Sequence, residues 1–261
     1  MTEPSGGSDA ARIKLSARRD GDSYVLNGEK TSISFASCAD TALVMARTGA
    51  LDDGAHGISA FYVDLGSQGV SRTRFRDLGS RAVGRGQLFF DSVRVPVAMR
   101  IGEEGAGFVQ VMQGFDFSRA LIGLMCIGAA EQSLEETRQY VGGRDAFGGS
   151  LARFEGVSFP LAEAAIQLRA ARLLCYEALW LRDRDQAHGW LAAGCKWWAP
   201  ELSAHVIHQC LLLHGHSGFS LELPHQQRLR DVIGLEIGDG TAQIMKLVVA
   251  RELLGKAARP Y

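Results

Sequence analysis

An acidic side chain stands between two glycines, Gly238-Asp239-Gly240, near the C-terminal end of a 261-residue chain. Thr241 and Gln243 follow it, and an apolar run from Ile244 to Leu254 comes next. Glycines on both sides let backbone and ligand approach closely. A helix start leaves N–H groups without intrahelical partners, and these favour an anion or a polarised oxygen. A carboxylate here can serve as a base toward a bound ligand. The same residues equally describe an N-cap, with Asp239 capping the helix that follows. Both readings stand until the rest of the chain is considered.

Other residues with chemical potential read more plainly. His205, His208, His214 and His216 cluster in sequence, but their spacing matches no zinc pattern and no cysteine pair completes it. Packing or capping histidines are therefore expected, and no metal site. Trp197-Trp198 on a helix reads as core or subunit interface. The segment Ile101-Gly102-Glu103-Glu104-Gly105-Ala106-Gly107 looks superficially like a phosphate loop, yet no βαβ unit surrounds it, so a linker and helix start is expected. Arg144-Asp145-Ala146-Phe147-Gly148 reads as a loop between helices, and its planar guanidinium would also suit a pyrophosphate. No Ser-His-Asp signature is present.

These groups must be positioned by two kinds of element. Ile13, Leu15 and Ala17 alternate with polar neighbours, and Asp20-Gly21 and Asn27-Gly28 bracket Tyr24-Val25-Leu26 as hairpin signals. Further strands are expected at 42–47, 58–63, 70–75 and 87–95, which together suggest a small antiparallel barrel or sandwich. Past Ile101 the apolar period changes from two to about 3.6. Four helices are expected at 105–141, 157–186, 190–213 and 240–257, forming an antiparallel four-helix bundle. The fold class is thus α+β, a β domain over 1–103 followed by a helical domain over 104–261.

Basic and acidic residues nearly cancel, 28 against 29, which gives no electrostatic case for nucleic acid or an anionic membrane surface. Five scattered cysteines without a C-x-x-C pair suggest a reducing, cytoplasmic setting. No apolar run is long enough to span a bilayer, so membrane insertion is not expected.

Taken in order, these segments resemble the acyl-CoA dehydrogenase family from Thr2 to Arg259. The marks are Thr2-Glu3-Pro4 with Gly7-Ser8-Asp9, Leu26-Asn27-Gly28-Glu29-Lys30, Val93-Arg94-Val95-Pro96 and Gly105-Ala106-Gly107-Phe108. Phe115-Asp116-Phe117-Ser118-Arg119, Arg144-Asp145-Ala146-Phe147-Gly148, Arg230-Asp231 and Asp239-Gly240-Thr241-Ala242-Gln243 complete the series. The resemblance implies a middle β-barrel domain, a C-terminal four-helix domain, FAD and often a homo-tetramer. It implies α,β-dehydrogenation of an acyl-CoA thioester, with Asp239 in the position of the α-proton base and an electron-transfer flavoprotein as acceptor. Thr2, Ser8, Ser34, Arg144, Thr241 and Gln243 match cofactor-contacting positions. Arg144 corresponds to an arginine that reaches the pyrophosphate of a neighbouring subunit's FAD. Ser118, Arg119, Gly238, Gly240 and Ser32 match positions near the substrate.

The chain departs from the family pattern in four ways. The usual base is Glu, and here it is the shorter Asp239; the alternative acid on the first long helix is replaced by Ser118. The bulky residue that often precedes the base is Gly238. The tryptophan commonly beside the flavin is Ser32. These three together predict a widened pocket and a branched or alicyclic acyl group. Finally, the family's N-terminal helical domain has no counterpart, so a fragment of a longer chain is expected, or a separate polypeptide that supplies that domain. Competing readings are an oxidase similar to nitroalkane oxidases, which also use an Asp base, and a non-catalytic partner subunit of the same fold. A carrier-bound acyl substrate is a further alternative.

Overall fold

The computed structural model describes residues 1–258, apart from the side chain of Lys256. Arg259, where the family resemblance ends, lies outside the described residues. The chain divides into two compact units, Met1–Gly114 and Phe115–Tyr261.

The first unit is built on a seven-stranded sheet. Its strands are β1 (Ser16–Asp20), β2 (Ser23–Ile33), β3 (Thr41–Arg47), β4 (Ile58–Asp64), β5 (Val70–Arg74), β6 (Gly86–Pro96) and β7 (Arg100–Ile101). Their order is β5-β6-β2-β1-β3-β4-β7. All pairings are antiparallel except β1 with β3, which meet in parallel at Ser16 and Arg47. Of the barrel or sandwich expected, the strands form an open sheet with β5 and β7 at its edges and, among the described residues, no closed barrel. Two-residue β7 ends one edge and mostly exposed β5 ends the other, so the edges do not pair. Tyr24, Leu26, Val44, Phe61, Leu88, Phe90 and Val93 are buried together, at a period of two within each strand except where the β2–β6 register shift separates Phe90 from Val93 by three. The β2–β6 register shifts between Leu26 and Gly28. Gly28 has φ 135°, and a Cβ there would lie 2.9 Å from the Leu15 Cα, so this bulge admits only glycine.

The second unit is helical: α1 (Gly107–Gly143), whose first turns belong to the sheet unit, α2 (Glu155–Arg182), α3 (Gly189–Leu213), α4 (His225–Ile237) and α5 (Ala242–Leu254). Between α1 and α2 lies a short hairpin of β8 (Asp145–Ala146) and β9 (Gly149–Ser150). Among the described residues there are thus five α-helices where four were expected. α4 escaped the periodicity because it is short and its Gln226, Gln227, Arg228, Arg230 and Asp231 dilute the apolar stripe. Its punctuation was readable: Pro224 stands before its first residue and Gly238 directly follows its last.

Small side chains allow the helices to pack closely. A Cβ on Gly123 of α1 would lie 2.8 Å from the Cys175 sulfur of α2 and 3.3 Å from the Ala199 Cβ of α3. Around that point Cys126, Ile127, Leu168, Cys195 and Ile207 form the buried core. Burial pushes the Cys126 thiol up to about 12, as expected of a packing cysteine. Among the described residues no helix is long and apolar enough to cross a membrane.

Candidate active site

Asp239 lies in the turn that joins α4 to α5. α4 closes with the Gly238 N–H donating to the Gly234 carbonyl at 3.1 Å. Asp239 then adopts φ 56° and Gly240 φ 103°. Gly240's positive φ is what demands glycine there; a Cβ would also sit 2.5 Å from the Met245 Cε, the movable end of that side chain. Gly238 is different. Its φ is −62°, and the nearest atom to a Cβ would be the Gly234 carbonyl oxygen at 3.6 Å. Nothing in the backbone requires the missing side chain at Gly238, so the position is simply open.

The cap of α5 is Thr241, whose Oγ1 accepts from the Ile244 N–H at 3.4 Å. Capping thus falls to Thr241, and the carboxylate of exposed Asp239 is not taken up by the helix start. Gln243 lies exposed in the first turn of α5.

Beneath this turn lies a residue that sequence reasoning missed. Lys196, on α3, is fully buried, and its Nζ donates to the Gly240 carbonyl at 2.8 Å. Burial lowers the Lys196 pKa, and the nearby Asp239 carboxylate counters that shift. The same ammonium feels Cys126 and Arg119 of α1 and Glu236 of α4. Arg119 is buried, donates to the Asp116 carboxylate at 2.7 Å and keeps its Nε without a partner. One turn position earlier, the Ser118 hydroxyl donates back to the Phe115 carbonyl at 3.3 Å. Arg119, Gly240 and Asp239 are therefore gathered around Lys196. A readable signal existed, because Lys196 interrupts the otherwise apolar Leu191–Pro200 run with Ala192 and Pro200 four residues away on either side.

Arg144 is exposed just past α1, where its N–H donates to the Tyr140 carbonyl at 2.9 Å and its carbonyl accepts from Leu151 N–H at 2.8 Å. No contact joins it to the Lys196 group. Of the four histidines only His214 packs: it hydrogen-bonds the Cys210 carbonyl at 2.9 Å, stacks on Tyr140 and lies tilted against His225, whereas His205, His208 and His216 are exposed and neither pack nor cap. His225 was not in the sequence cluster at all. Trp198 packs on the helical core, and Trp197 donates to Glu201 at 2.8 Å. Gly107 of the glycine-rich segment comes so close to Ser59 on β4 that a Cβ would lie 2.6 Å from its carbonyl carbon, which explains the glycine by packing.

The remaining candidates belong to the sheet unit. Thr31 N–H donates to the Thr2 carbonyl at 2.9 Å, laying the N-terminal segment beside β2. Buried Glu3 clamps it there, accepting from Lys30 Nζ at 2.7 Å and from the N–H groups of Lys14 and Leu15 at 2.6 and 2.9 Å. Burial raises the Glu3 pKa, and these donors outweigh it to leave a net lowering. A Cβ on Gly7 would meet the Thr2 methyl at 3.5 Å, so Thr2 and the Gly7-Ser8 turn are neighbours. Ser8, Ser32 and Ser34 are exposed. Ser32 has φ 60°, and its hydroxyl accepts from Arg85 Nη1 at 3.2 Å. Arg85 is held by a bidentate pair with Asp77 and lies over the Phe75 ring. The space expected at Ser32 is thus bordered by a guanidinium, which sequence reading did not anticipate.

Taken unit by unit, the residues that the resemblance assigns to a flavin offer groups of the kind such a cofactor needs. Ser8 and Ser34 offer exposed hydroxyls, and Thr2 stands beside them, suited to the ring carbonyls and nitrogens of such a cofactor. In the helical unit the exposed Arg144 guanidinium has the chemistry for a phosphate, and the start of α5 for a hydroxyl or an anion. Among the described residues no group of three or more His, Cys, Asp or Glu side chains is placed to hold a metal ion.

Comparison with known proteins agrees. The model of the acyl-CoA dehydrogenase middle domain matches residues 1–93, and that of the acyl-CoA dehydrogenase C-terminal domain matches residues 105–254. A probable acyl-CoA dehydrogenase of Bacillus subtilis, YngJ, is 36% identical over 255 residues, 97% of this chain and 67% of its own length. Butyryl-CoA dehydrogenase from Megasphaera elsdenii superimposes with a TM-score of 0.94 at 32% identity, over 97% of this chain and 66% of that one. The prolyl acyl carrier protein oxidase AnaB superimposes with a TM-score of 0.94 at 26% identity, over 97% of this chain and 67% of that one. The chain thus spans about two thirds of the length of these relatives. With both domain models matched in order, and with a relative more than a third identical along nearly the whole chain, this protein belongs to the acyl-CoA dehydrogenase family.

Proposed function

We propose that this chain is the middle and C-terminal part of an FAD-dependent dehydrogenase that introduces an α,β double bond into an acyl thioester. Asp239 is the base that takes the α-proton. The observation that carries this reading is the α4–α5 turn, in which Thr241 assumes the helix cap and the acid is exposed on a bare glycine turn. A thioester α-proton is weakly acidic, so the developing enolate oxygen needs a fixed donor, a role assigned to the backbone N–H of Asp239. Thr2, Ser8, Ser34, Thr241 and Gln243 would hold FAD, and Arg144 would reach the pyrophosphate of a neighbouring subunit's FAD. When bound, FAD supplies the acceptor for the hydride that leaves the β-carbon. Ser118 and Arg119 line the thioester side. Electrons leave for an electron-transfer flavoprotein, and the working form is a homo-tetramer completed by the N-terminal domain, on the same chain or on a separate polypeptide.

Asp239, open Gly238 and small Ser32 favour a branched or alicyclic acyl group, whose α-carbon can sit closer to a shorter base. AnaB, by its name, acts on a prolyl group carried by a protein. That likeness favours a second form of the same reading, a ring-containing acyl group delivered by a carrier rather than by CoA.

The test is anaerobic mixing of the FAD-loaded protein with butyryl-CoA, cyclohexanecarbonyl-CoA and the latter acyl group on a phosphopantetheinyl carrier. Flavin bleaching is expected, faster with the ring compound. Asp239→Asn should slow bleaching by about two to four orders of magnitude, as loss of a positioned base does, while the yellow cofactor stays bound. Unchanged bleaching in that variant would refute the assignment. Hydrogen peroxide release in air with a nitroalkane such as nitroethane as the electron donor, and no thioester, would favour the oxidase reading.

A further inference from the structure

Lys196 is an unusual residue to find in the middle of a packed helix. α3 is the hub of the helical unit, contacted by α2, α4 and α5, and its buried side includes Leu191, Ala192, Cys195, Ala199, Leu202 and Val206. Leucine or methionine would fill the same space without bringing a charge out of water. What the ammonium adds is a donor and a positive charge, and both meet the acid-bearing turn. The donor is 2.8 Å from the Gly240 carbonyl, the residue next to Asp239. Asp239 heads the charged groups acting on it, followed by Cys126, Arg119 and Glu236.

The turn itself has little else to hold it. Gly238 and Gly240 lack side chains, Asp239 is exposed, and the backbone passes through positive φ at two successive residues. A bare turn of that kind samples many conformations unless a rigid element restrains it. The hydrogen bond from α3, one of the most buried helices of the unit, supplies that restraint.

We infer that Lys196 is a positioning residue for the proton-abstraction step: its ammonium pins the Gly240 carbonyl and so fixes how the neighbouring Asp239 is presented, with a positive charge beside that carboxylate. This rests on the reading of Asp239 as the base. Lys196 does not itself exchange a proton with substrate. It acts through the geometry of the turn, where a displacement of about 1 Å can cost on the order of a hundredfold in rate.

The test uses the FAD-loaded protein with Lys196→Met, which keeps length and removes donor and charge, and Lys196→Arg, which keeps both. Two quantities are read: bleaching rate per bound flavin with saturating cyclohexanecarbonyl-CoA, and amide hydrogen exchange across 234–243. Lys196→Met is expected to retain flavin, to change KM by less than about threefold and to bleach at least about thirtyfold more slowly. Exchange across 234–243 should rise by about tenfold or more while α3 stays protected. Lys196→Arg should recover a substantial part of both. A Lys196→Met protein that merely melts lower, with parental bleaching per flavin and parental exchange in the turn, overturns the inference. If Lys196→Met does not fold, Lys196→Gln takes its place, which keeps a donor and loses the charge; parental values of both quantities in it overturn the role of the charge. If no thioester bleaches the parent protein, the base assignment has failed; the exchange measurement still decides whether Lys196 holds the turn.

Discussion

The two glycines that flank Asp239 have different reasons for being there, and that difference is testable. Gly240 is demanded by its backbone: at φ 103° any Cβ brings strain, and the movable end of Met245 would also have to give way. Gly240→Ala should therefore cost about 1–3 kcal/mol, seen as a lower urea midpoint, and slow flavin bleaching as well. Gly238 has an ordinary φ and room for a side chain, so Gly238→Ala should stay within about 0.5 kcal/mol of the parent. If both variants lose stability alike, the turn is not as described. Ser32 extends the same logic to the sheet unit. It is small, but the guanidinium of Arg85, itself paired with Asp77, donates to it at 3.2 Å and makes its surroundings polar rather than merely open.

At the scale of elements, α4 adds a buried polar contact that links it to α1 and the end of α3. Tyr140 stacks on His214, and His225 lies tilted against His214, with ring centroids 4.3 and 4.4 Å apart, while Arg228 holds Glu136 nearby through a bidentate pair. Burial, with help from His214, lowers the His225 pKa from 6.5 to about 4. In the unfolded chain this imidazole takes up a proton near pH 6.5, whereas in the folded protein it stays neutral until about pH 4. Stability is consequently full above pH 6.5 and falls as pH drops toward 4, by an amount on the order of 3 kcal/mol. Urea unfolding at pH 7, 6, 5 and 4.5 measures this. His225→Phe, which keeps an aromatic ring there, should flatten the curve over that window. Glu136, held at about 2 by Arg228, contributes its own loss only at lower pH, as the carboxylate becomes protonated below its ordinary 4.5.

At the scale of the whole molecule, α2 exposes Phe159, Ile166, Leu173 and Trp180, seven residues apart, with Tyr176 beside them. A heptad-spaced apolar stripe is the kind of surface that a bundle or an oligomer covers. If the proposed homo-tetramer uses it, Ile166→Glu with Leu173→Glu should shift sedimentation toward smaller species without loss of helix content by circular dichroism. Unchanged association would assign the stripe to something else. Much of the architecture was legible beforehand. The change from an apolar period of two to one of 3.6 near Gly105 separates sheet from helices, because each period follows from the repeat of local backbone dihedrals and can be read in a short window. Asp239 between glycines, and the ordered motifs that pointed to the family, were equally a matter of residues near one another in sequence. Other features depended on residues far apart in the chain: the open edges of the sheet, the parallel contact of Ser16 with Arg47, and the meeting of Lys196 with Gly240. Ser32 with Arg85 and His214 with His225 belong with them. Those were decided only by tertiary packing, since no local periodicity records which buried donor will find which distant carbonyl.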